Sequence, residues 1–557
     1  MDERPWHRSW PVNLPREVDV EPAPLYSLLE ASARRSPKAT FLAFQGNRLS
    51  FSTVLQASER FASALLSTGL AKGDRVALFM PNMPQFVMCY FGTLMAGGVV
   101  VPCSPLYKER ELETQLKDSG AKTVVAASDR VGENDLFASL EGCRGRLGLE
   151  HVITASLTDY LPSYKKPLAR FARVENVRRS GSVRFTELIR ESGPLRTPVT
   201  ASAEDAAAIQ YTGGTTGVCK GALLTHGNLM WATSMAQACI SLTEKDVTLA
   251  VLPLFHIFGM VACLTLPTMA GAQTVLLPRF DVLEVMKTIQ KSRVTFFPGV
   301  PTMYVAINNH PQAARFELGT VRVAFSGGAP LPSAVRKRFN QLTGGNLFEG
   351  YGLTESAAVA ITNPIEGGRD KEASIGIPFP STDAKIVSLD DPQTALGVGV
   401  PGELAIRGRQ VMKGYWQDEE GTRLVIRDGW LLTGDIAKMD EDGYFYIVDR
   451  KKDMINVGGQ KVYPREVEEV LFEHPAVKEA AVVGIPDAYM GETVKAFVVL
   501  KDPAKGEGMK EELTSYCRDR LAKYKVPHAM DFVGELPKTL VGKVYRRKLR
   551  EGGSTSV

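Results

Sequence analysis

Hydrophobic and polar positions follow two rhythms along most of this chain. Short, nearly continuous apolar runs such as Arg75-Val-Ala-Leu-Phe-Met80, Val99-Val-Val101 and Lys122-Thr-Val-Val125 predict buried strands. Between them apolar residues recur at helical spacing. Ala57, Phe61, Ala62, Leu65 and Leu66 share one face of a helix beginning at Phe51, and a second helix is expected near Glu109–Lys117. This alternation predicts an α/β fold, a mostly parallel sheet covered by helices. Upstream, a Pro-rich stretch ends in a strand pair from Thr40, with a hairpin turn at Gly46-Asn47. Phe86 to Cys103 and His256 to Pro278 carry no charge, but Gly and Pro interrupt both, so each is expected to be a buried helix followed by a buried strand, not a membrane span.

The rhythm breaks over residues 156–200, where the stretch from Asp159 through residue 179 is basic with interleaved aromatics. Its ordinary reading is a solvated insertion. The sharper one is a patch for anionic lipid, because Lys165, Lys166, Arg170 and Arg173 flank Tyr164, Leu168 and Phe171. Alternation then resumes, with strands expected at Thr248–Leu252, Gln273–Leu277, Val294–Phe297 and Val321–Phe325. Beyond Gly376 the texture turns to short strands, as at Gly402–Gly408 and Gly443–Val448, predicting a β-rich subdomain over 376–450. Five consecutive charges at Asp449-Arg-Lys-Lys-Asp453 mark a second break. Past it a compact α+β pattern follows: Pro464 opens a helix with Val467, Val470 and Leu471 on one face, strands are expected at Ala480–Gly484 and Val494–Leu500, and a helix near Glu511–Lys523. A large domain, 1–450, and a small one, 451–557, are the expected organisation.

Composition narrows the class of protein only a little. With 557 residues, 44% apolar and 23% charged, the chain is ordinary globular protein of several modules. A net charge of +4 gives no argument for nucleic acid. Seven scattered cysteines without a Cys-x-x-Cys pair suit a reducing cytosol and argue against disulfides or structural zinc. The first residues have no apolar core of the kind a secretory signal needs.

Candidate chemistry centres on Tyr211-Thr-Gly-Gly-Thr-Thr-Gly-Val-Cys-Lys-Gly221. Gly213, Gly214 and Gly217 free the backbone so that amide N–H groups can converge on phosphate oxygens, Thr212, Thr215 and Thr216 add hydroxyls, and Lys220 adds a cation. No Walker A spacing can be drawn through it, so a different polyphosphate loop is implied. It follows an expected buried strand, Ala206–Gln210. In Glu349-Gly-Tyr-Gly-Leu-Thr-Glu355, Tyr351 offers a ring for a base and Glu355 a hard oxygen for magnesium, although Gly-Tyr-Gly is also a common tight turn. Further stretches are Ser326-Gly-Gly-Ala-Pro330, Pro253-Leu-Phe-His-Ile-Phe-Gly-Met260, Trp430-Leu-Leu-Thr-Gly-Asp435, Asn456-Val-Gly-Gly459 and Leu536-Pro-Lys-Thr-Leu-Val-Gly-Lys543.

Taken together, these motifs resemble those of the adenylate-forming superfamily of acyl-CoA synthetases, luciferases and peptide-synthetase adenylation domains. The match is tightest to bacterial-type long-chain fatty acid CoA ligases, on Arg4-Pro-Trp-His-Arg-Ser-Trp-Pro, on Pro105-Leu-Tyr-Lys-Glu-Arg-Glu-Leu and on Asp428-Gly-Trp-Leu-Leu-Thr-Gly-Asp through Asp449-Arg-Lys-Lys. The resemblance implies ATP, Mg2+ and CoA as cofactors and a fatty acid as substrate. It implies nucleotide contacts at Tyr211 to Gly217, Lys220, Gly328, Ala329, Gly350, Tyr351, Gly352 and Thr354, with Thr212 and Glu355 at the metal. A ribose grip is implied at Asp435, expected at a strand end, and at Arg450. Gly458 and Gly459 would line the pantetheine path, Lys452 would be the hinge, and Lys543 would bridge the attacking carboxylate and the α-phosphate. His256, Phe258, Met260 and Val261 would form the acyl pocket, with Trp231 a further candidate wall and His256 a substrate-positioning group. Lys523 and Lys525 could meet CoA phosphates. Many members carry Ser and Pro where this chain has Gly214 and Cys219. A cytoplasmic protein is expected, peripheral at the inner face of the membrane, and homodimeric as related enzymes usually are. An aryl-CoA ligase, a luciferase-like oxygenase or a non-catalytic acyl-nucleotide binder would share the nucleotide motifs.

Overall fold

The computed structural model describes residues 4–131, 134–162, 165, 181–212, 220–365, 367–487, 489–502, 508–538 and 544–550. The chain divides into two compact units, Ser9–Asp383 with Arg407–Leu431, and Met1–Arg8, Ala384–Ile406 with Leu432–Val557, each as far as the described residues go.

Two α/β sheets organise the first unit. In one, Val99–Cys103, Arg75–Phe79, Thr123–Ala127 and His151–Ala155 run parallel; Val99–Cys103 and Thr123–Ala127 are buried along their whole length and Arg75–Phe79 from Val76 on, as their apolar runs require. In the other, Gln273–Leu276, Val247–Ala250, Phe296–Gly299, Val323–Ser326 and Asn346–Tyr351 lie parallel in that order. The helix Phe51–Ser67 starts on a Ser50 cap that accepts from Thr53 N–H at 3.2 Å, and it crosses Pro84–Met95 closely enough that a Cβ at Gly92 would lie 2.6 Å from the Ser58 carbonyl. The expected alternation of strands and helices is therefore present.

Some local expectations shift: the strand expected at Val321–Phe325 is Val323–Ser326, and the helix expected near Glu511–Lys523 is Met509–Arg518. The hairpin turn lies at Gln45-Gly46, not Gly46-Asn47: both turn residues have positive φ, 50° and 98°, and Asn47 already pairs with Phe44. The strand expected at Val294–Phe297 is Phe296–Gly299, because Arg293 closes the preceding helix in the left-handed region and Val294 N–H is spent on the Ile289 carbonyl.

In the second unit a sheet of Gly491–Leu500, Val477–Asp487, Ile455–Val457, Gln460–Val462 and Ala529–Phe532 packs against the helix Pro464–Glu473, which buries Val467 and Leu471. Among the described residues no helix is long and apolar enough to cross a membrane. Six cysteines are described, all buried and free; Cys219 lies outside the described residues.

Candidate active site

The strand Ala206–Thr212 lies parallel to Val99–Cys103 and then returns antiparallel as Lys220–Thr225. The glycine- and threonine-rich stretch therefore joins two arms of a hairpin. Thr212 and Lys220 face each other in register. Gly213, Gly214, Thr215, Thr216 and Gly217 lie outside the described residues. Gly221 is required by packing: a Cβ there would sit 2.6 Å from Ile209 Cγ2 and 3.2 Å from the Tyr211 ring.

A short edge strand, Gly414–Tyr415, pairs with Lys220–Thr225 and brings in residues that no sequence motif had marked. The Lys220 ammonium donates to Asp418 Oδ2 at 2.8 Å and sits 4.8 Å from the centre of the Tyr415 ring. The Tyr415 hydroxyl donates to Glu355 Oε1 at 2.8 Å, and Met412 N–H donates to the Glu355 carbonyl at 2.8 Å. Tyr211 donates its hydroxyl to the Asp118 carboxylate, while Trp416 Nε1–H donates to the Asp118 carbonyl at 3.1 Å. Burial first, then the Glu355 carboxylate, raise the Tyr415 hydroxyl well above its ordinary value, so it stays a donor. The hydrogen bond from Lys220, with Gly421 N–H next, holds Asp418 below the usual carboxylate range. The sequence signal for this group was slight: an aromatic pair, Tyr415-Trp416, beside an Asp that caps the helix Glu419–Val425 through Gly421 N–H at 2.7 Å.

The parallel strands deliver the other predicted residues to neighbouring carboxyl ends, where ligand loops of α/β sheets gather. Ser326 pairs with Glu349, so the 327–329 loop and the segment that begins at Gly352 leave adjacent strands. Gly328 has φ +81°, and Leu331 N–H beyond it donates to Glu349 Oε1 at 3.1 Å. A Cβ at Gly350 would fall on the Phe325 ring, and one at Gly352 on the Ala358 carbonyl. Tyr351 closes its strand opposite Ile361. Thr354 and Glu355 follow in a short 3₁₀ turn that closes on Ala357 and Ala358, at φ +48° and +67°. Two consecutive non-glycine residues in the left-handed region store strain directly behind Glu355.

His256 caps the short helix Ile257–Met260, its Nδ1 accepting from Phe258 N–H at 3.2 Å. The helix continues through a wider π turn at Val261–Thr265. Pro267 supplies the reason, since it has no N–H for the Cys263 carbonyl, which instead accepts from the Thr274 hydroxyl at 3.5 Å. Phe258 leans on the 327–329 loop: its ring would be 3.1 Å from a Cβ at Gly327. Met260 and Val261 are buried, with the Tyr90 hydroxyl donating to Met260 Sδ at 3.4 Å. Gln210 Nε2–H donates to the Phe255 carbonyl at 2.7 Å, tying this segment to the strand before the hairpin loop. Trp231 lies on the helix His226–Ile240. Arg409 stacks on it at 4.9 Å, and both line a cavity of about 320 Å³ with Glu17, Asp383 and Arg407.

In the second unit Asp435 lies inside the ten-residue strand Trp430–Met439, not at a strand end. It pairs in register with Arg450, whose Nε lies 3.4 Å from Asp435 Oδ1. A buried carboxylate, Glu403, fixes the flanks by accepting from Gly434 N–H at 3.0 Å and from Lys451 Nζ at 2.9 Å. Lys452 is exposed in the turn between Arg450 and Asp453. Gly458 and Gly459, at φ +58° and +84°, form the two-residue turn between Ile455–Val457 and Gln460–Val462, a conformation that itself favours glycine. Lys543 lies outside the described residues, as do Tyr164, Lys166, Leu168, Arg170, Phe171 and Arg173. Lys165 is described, and its ammonium donates to the Gln45 carbonyl at 2.7 Å.

Among the described residues no cluster of three His, Cys, Asp or Glu side chains could hold a metal by itself. The donor set fits magnesium in another way. Glu355 offers one hard carboxylate, and Thr212 and Lys220 stand at the mouth of a hairpin; magnesium is commonly bound through one or two carboxylates plus substrate phosphates and water. Ser326 Oγ, at the end of its strand, is buried with no hydrogen-bond partner among the described residues.

The model of the AMP-binding enzyme family matches residues 29–416, and that of the AMP-binding enzyme C-terminal domain matches residues 466–543. The chain is 42% identical to a long-chain-fatty-acid–CoA ligase of Bacillus subtilis over 99% of its length and 98% of the relative's. It is 39% identical to the enzyme of that name from Escherichia coli O157:H7, over 98% of each. Among solved structures it resembles the anthranilate CoA ligase AuaEII in complex with anthranoyl-AMP, with TM-score 0.85 and 28% identity over 96% of this chain and 98% of that one. It also resembles a Mycobacterium tuberculosis fatty acyl CoA synthetase, with TM-score 0.73 and 30% identity over 95% of this chain and 98% of that one. The glycine-rich hairpin, the glycine-bearing strand ends and the two family models agree: this chain belongs to the AMP-binding enzymes, the adenylate-forming family of CoA ligases.

Proposed function

We propose that this chain activates a medium- or long-chain fatty acid with ATP, giving acyl-adenylate and pyrophosphate, and then passes the acyl group to the thiol of CoA with release of AMP. The observation that carries this reading is the seating of Phe258 against Gly327, which brings an uncharged, largely buried segment to the loop implied to line adenine. Likeness to relatives named as long-chain-fatty-acid–CoA ligases over almost the whole chain supports the choice of acid.

In this reading Tyr211, Thr212, Lys220 and the 213–217 loop hold the triphosphate, and Gly328, Ala329 and Gly350–Thr354 hold adenine. Bound magnesium would offset charge on the phosphates; Glu355 and Thr212 would hold it. Asp435 and Arg450 grip the ribose hydroxyls, a task suited to a carboxylate fixed by its own ion pair. His256 orients the acid at the head of a pocket walled by Phe258, Met260 and Val261. Lys543 supplies a cation between carboxylate and α-phosphate as charge builds. Residues 451–557 act as the mobile small domain, turning about Lys452, with Gly458 and Gly459 beside the pantetheine arm. The basic insertion over 159–179 would touch anionic membrane, and the enzyme would work as a homodimer.

The test is mass-spectrometric detection of thioester products after incubating purified protein with ATP, CoA and an equimolar mixture of acids. Acyl-CoA from aliphatic acids of about ten or more carbons is expected. A second reading has its own support: AuaEII and a benzoate CoA ligase, both acting on aromatic acids by their names, share this fold with TM-scores of 0.85 and 0.83. Aromatic thioesters as the dominant product would favour it, and absence of any thioester would overturn both.

A further inference from the structure

The cation and the carboxylate implied to meet ATP and magnesium are joined through one side chain. Lys220 rests on the face of the Tyr415 ring, 4.8 Å from its centre, and the hydroxyl of the same ring donates to Glu355 at 2.8 Å. We propose that Tyr415 is a positioning residue that sets Lys220 and Glu355 a ring's width apart, and that Asp418 parks Lys220 on that ring until a polyphosphate replaces it. The inference rests on the roles given above to Lys220 and Glu355.

The ring is held from several sides. Tyr415 pairs with Ala222 on the strand that Lys220 opens, its N–H donates to the Thr422 hydroxyl at 2.8 Å, and Trp416 N–H donates to the Gly221 carbonyl at 2.7 Å. Gln417, at φ +53°, turns the chain so that Asp418 comes back beside Tyr415. Glu355 is tied to the same segment through Met412 N–H. A move of the edge segment therefore carries both charges together. The hydroxyl spends its proton on Oε1 and leaves the other carboxylate oxygen for a hard cation. The Lys220–Asp418 pair is of a kind easily exchanged: its side chains are 36% and 37% exposed, where ion pairs contribute little. A triphosphate brings more negative charge than one carboxylate and can take the lysine from it.

The experiment is calorimetric titration of full-length protein with α,β-methylene-ATP, in excess magnesium and in EDTA, for wild type, Tyr415→Phe and Asp418→Asn. In Tyr415→Phe the ring stays and the hydroxyl goes. Affinity in EDTA should remain within about twofold of wild type, while the gain conferred by magnesium shrinks about tenfold, as loss of a charge-assisted hydrogen bond predicts. In Asp418→Asn the lysine is released, and affinity in EDTA should rise about threefold. An unchanged magnesium gain in Tyr415→Phe, or weaker analogue binding in EDTA by Asp418→Asn, overturns the proposal. Lys220→Ala and Glu355→Gln separate this failure from failure of the underlying assignment. If both bind the analogue with wild-type affinity and magnesium gain, the nucleotide roles themselves are wrong. Thermal melting of each variant checks that it is folded.

Discussion

The Lys220 group and the Asp435 group are both charged networks, but they are assembled over different lengths of chain. Lys220 reaches Asp418 across 198 positions, and Tyr415 reaches Glu355 across 60, so the first group exists only once the hairpin and its edge strand are in place. Asp435 and Arg450 face each other within a single hairpin. Exposure differs as well: Asp418 is 37% exposed and Asp435 only 8%. An exposed pair changes partners cheaply, whereas a buried charge must keep its partner or pay for isolation. The first arrangement suits exchange of one anion for another, the second the keeping of a fixed geometry.

The sharpest way to break that comparison is to remove the exchanging charges. Lys220→Ala and Glu355→Gln should each lower fatty-acid-dependent ATP–pyrophosphate exchange by about 10²–10³, with melting temperature nearly unchanged because both side chains are partly exposed. A fall in melting temperature matching the loss of activity would make the group structural instead.

His226 in the first unit and Asp449 in the second are expected to titrate in opposite senses. Burial lowers His226 to about 4, and its Nδ1 accepts from Leu25 N–H at 3.1 Å. The unfolded chain binds this proton more tightly, so the stability from neutral His226 is complete above pH 6.5 and is lost as pH falls toward 4, by up to about 3 kcal/mol. Burial raises Asp449 to about 6, against a partial offset from the N–H groups of Arg465 and Arg450. Here the folded state binds the proton more tightly. Its contribution is greatest below about pH 4 and declines as pH rises to 6, again by up to about 3 kcal/mol. Denaturant midpoints between pH 4 and 7 should show His226→Asn flattening the acid loss and Asp449→Asn flattening the opposite slope. Wild-type slopes in both variants would contradict these burial arguments.

A smaller effect is expected from Asp435→Ala, about 1–2 kcal/mol in chemical denaturation, since Arg450 keeps access to water while the backbone around Glu403 stays fixed. Smallest of all, Trp231→Ala should leave the acyl chain-length profile unchanged, because Trp231 is engaged by Arg409, which stacks on it at 4.9 Å and lines the same cavity. A shifted profile would return Trp231 to the acyl wall.

The same contrast explains what could be read from the amino acids. Buried strands such as Val99–Cys103 declare themselves through continuous apolar runs, and glycine-bearing ends such as Gly350–Gly352 through spacing, because the constraint is local. The hairpin turn lies at Gln45-Gly46, one residue before the Gly46-Asn47 that the sequence predicts, because Gln gives no sign of adopting positive φ. Asp435 lies inside Trp430–Met439 and not at the expected strand end, because the φ of +71° at Gly434 is accommodated within the strand. Tyr415, Asp418 and Asp118 went unmarked because their roles depend on an edge strand pairing with a distant hairpin, which no local pattern encodes.

The most direct test of the account is AMP release from ATP by the purified protein, with and without CoA, across acids from acetate to oleate together with benzoate and coumarate. The account predicts release that requires CoA and peaks with aliphatic acids of about ten or more carbons, falling sharply in Lys543→Ala. AMP release that peaks with an aromatic acid would contradict the assigned substrate, and no release with any acid would contradict the ligase reading itself.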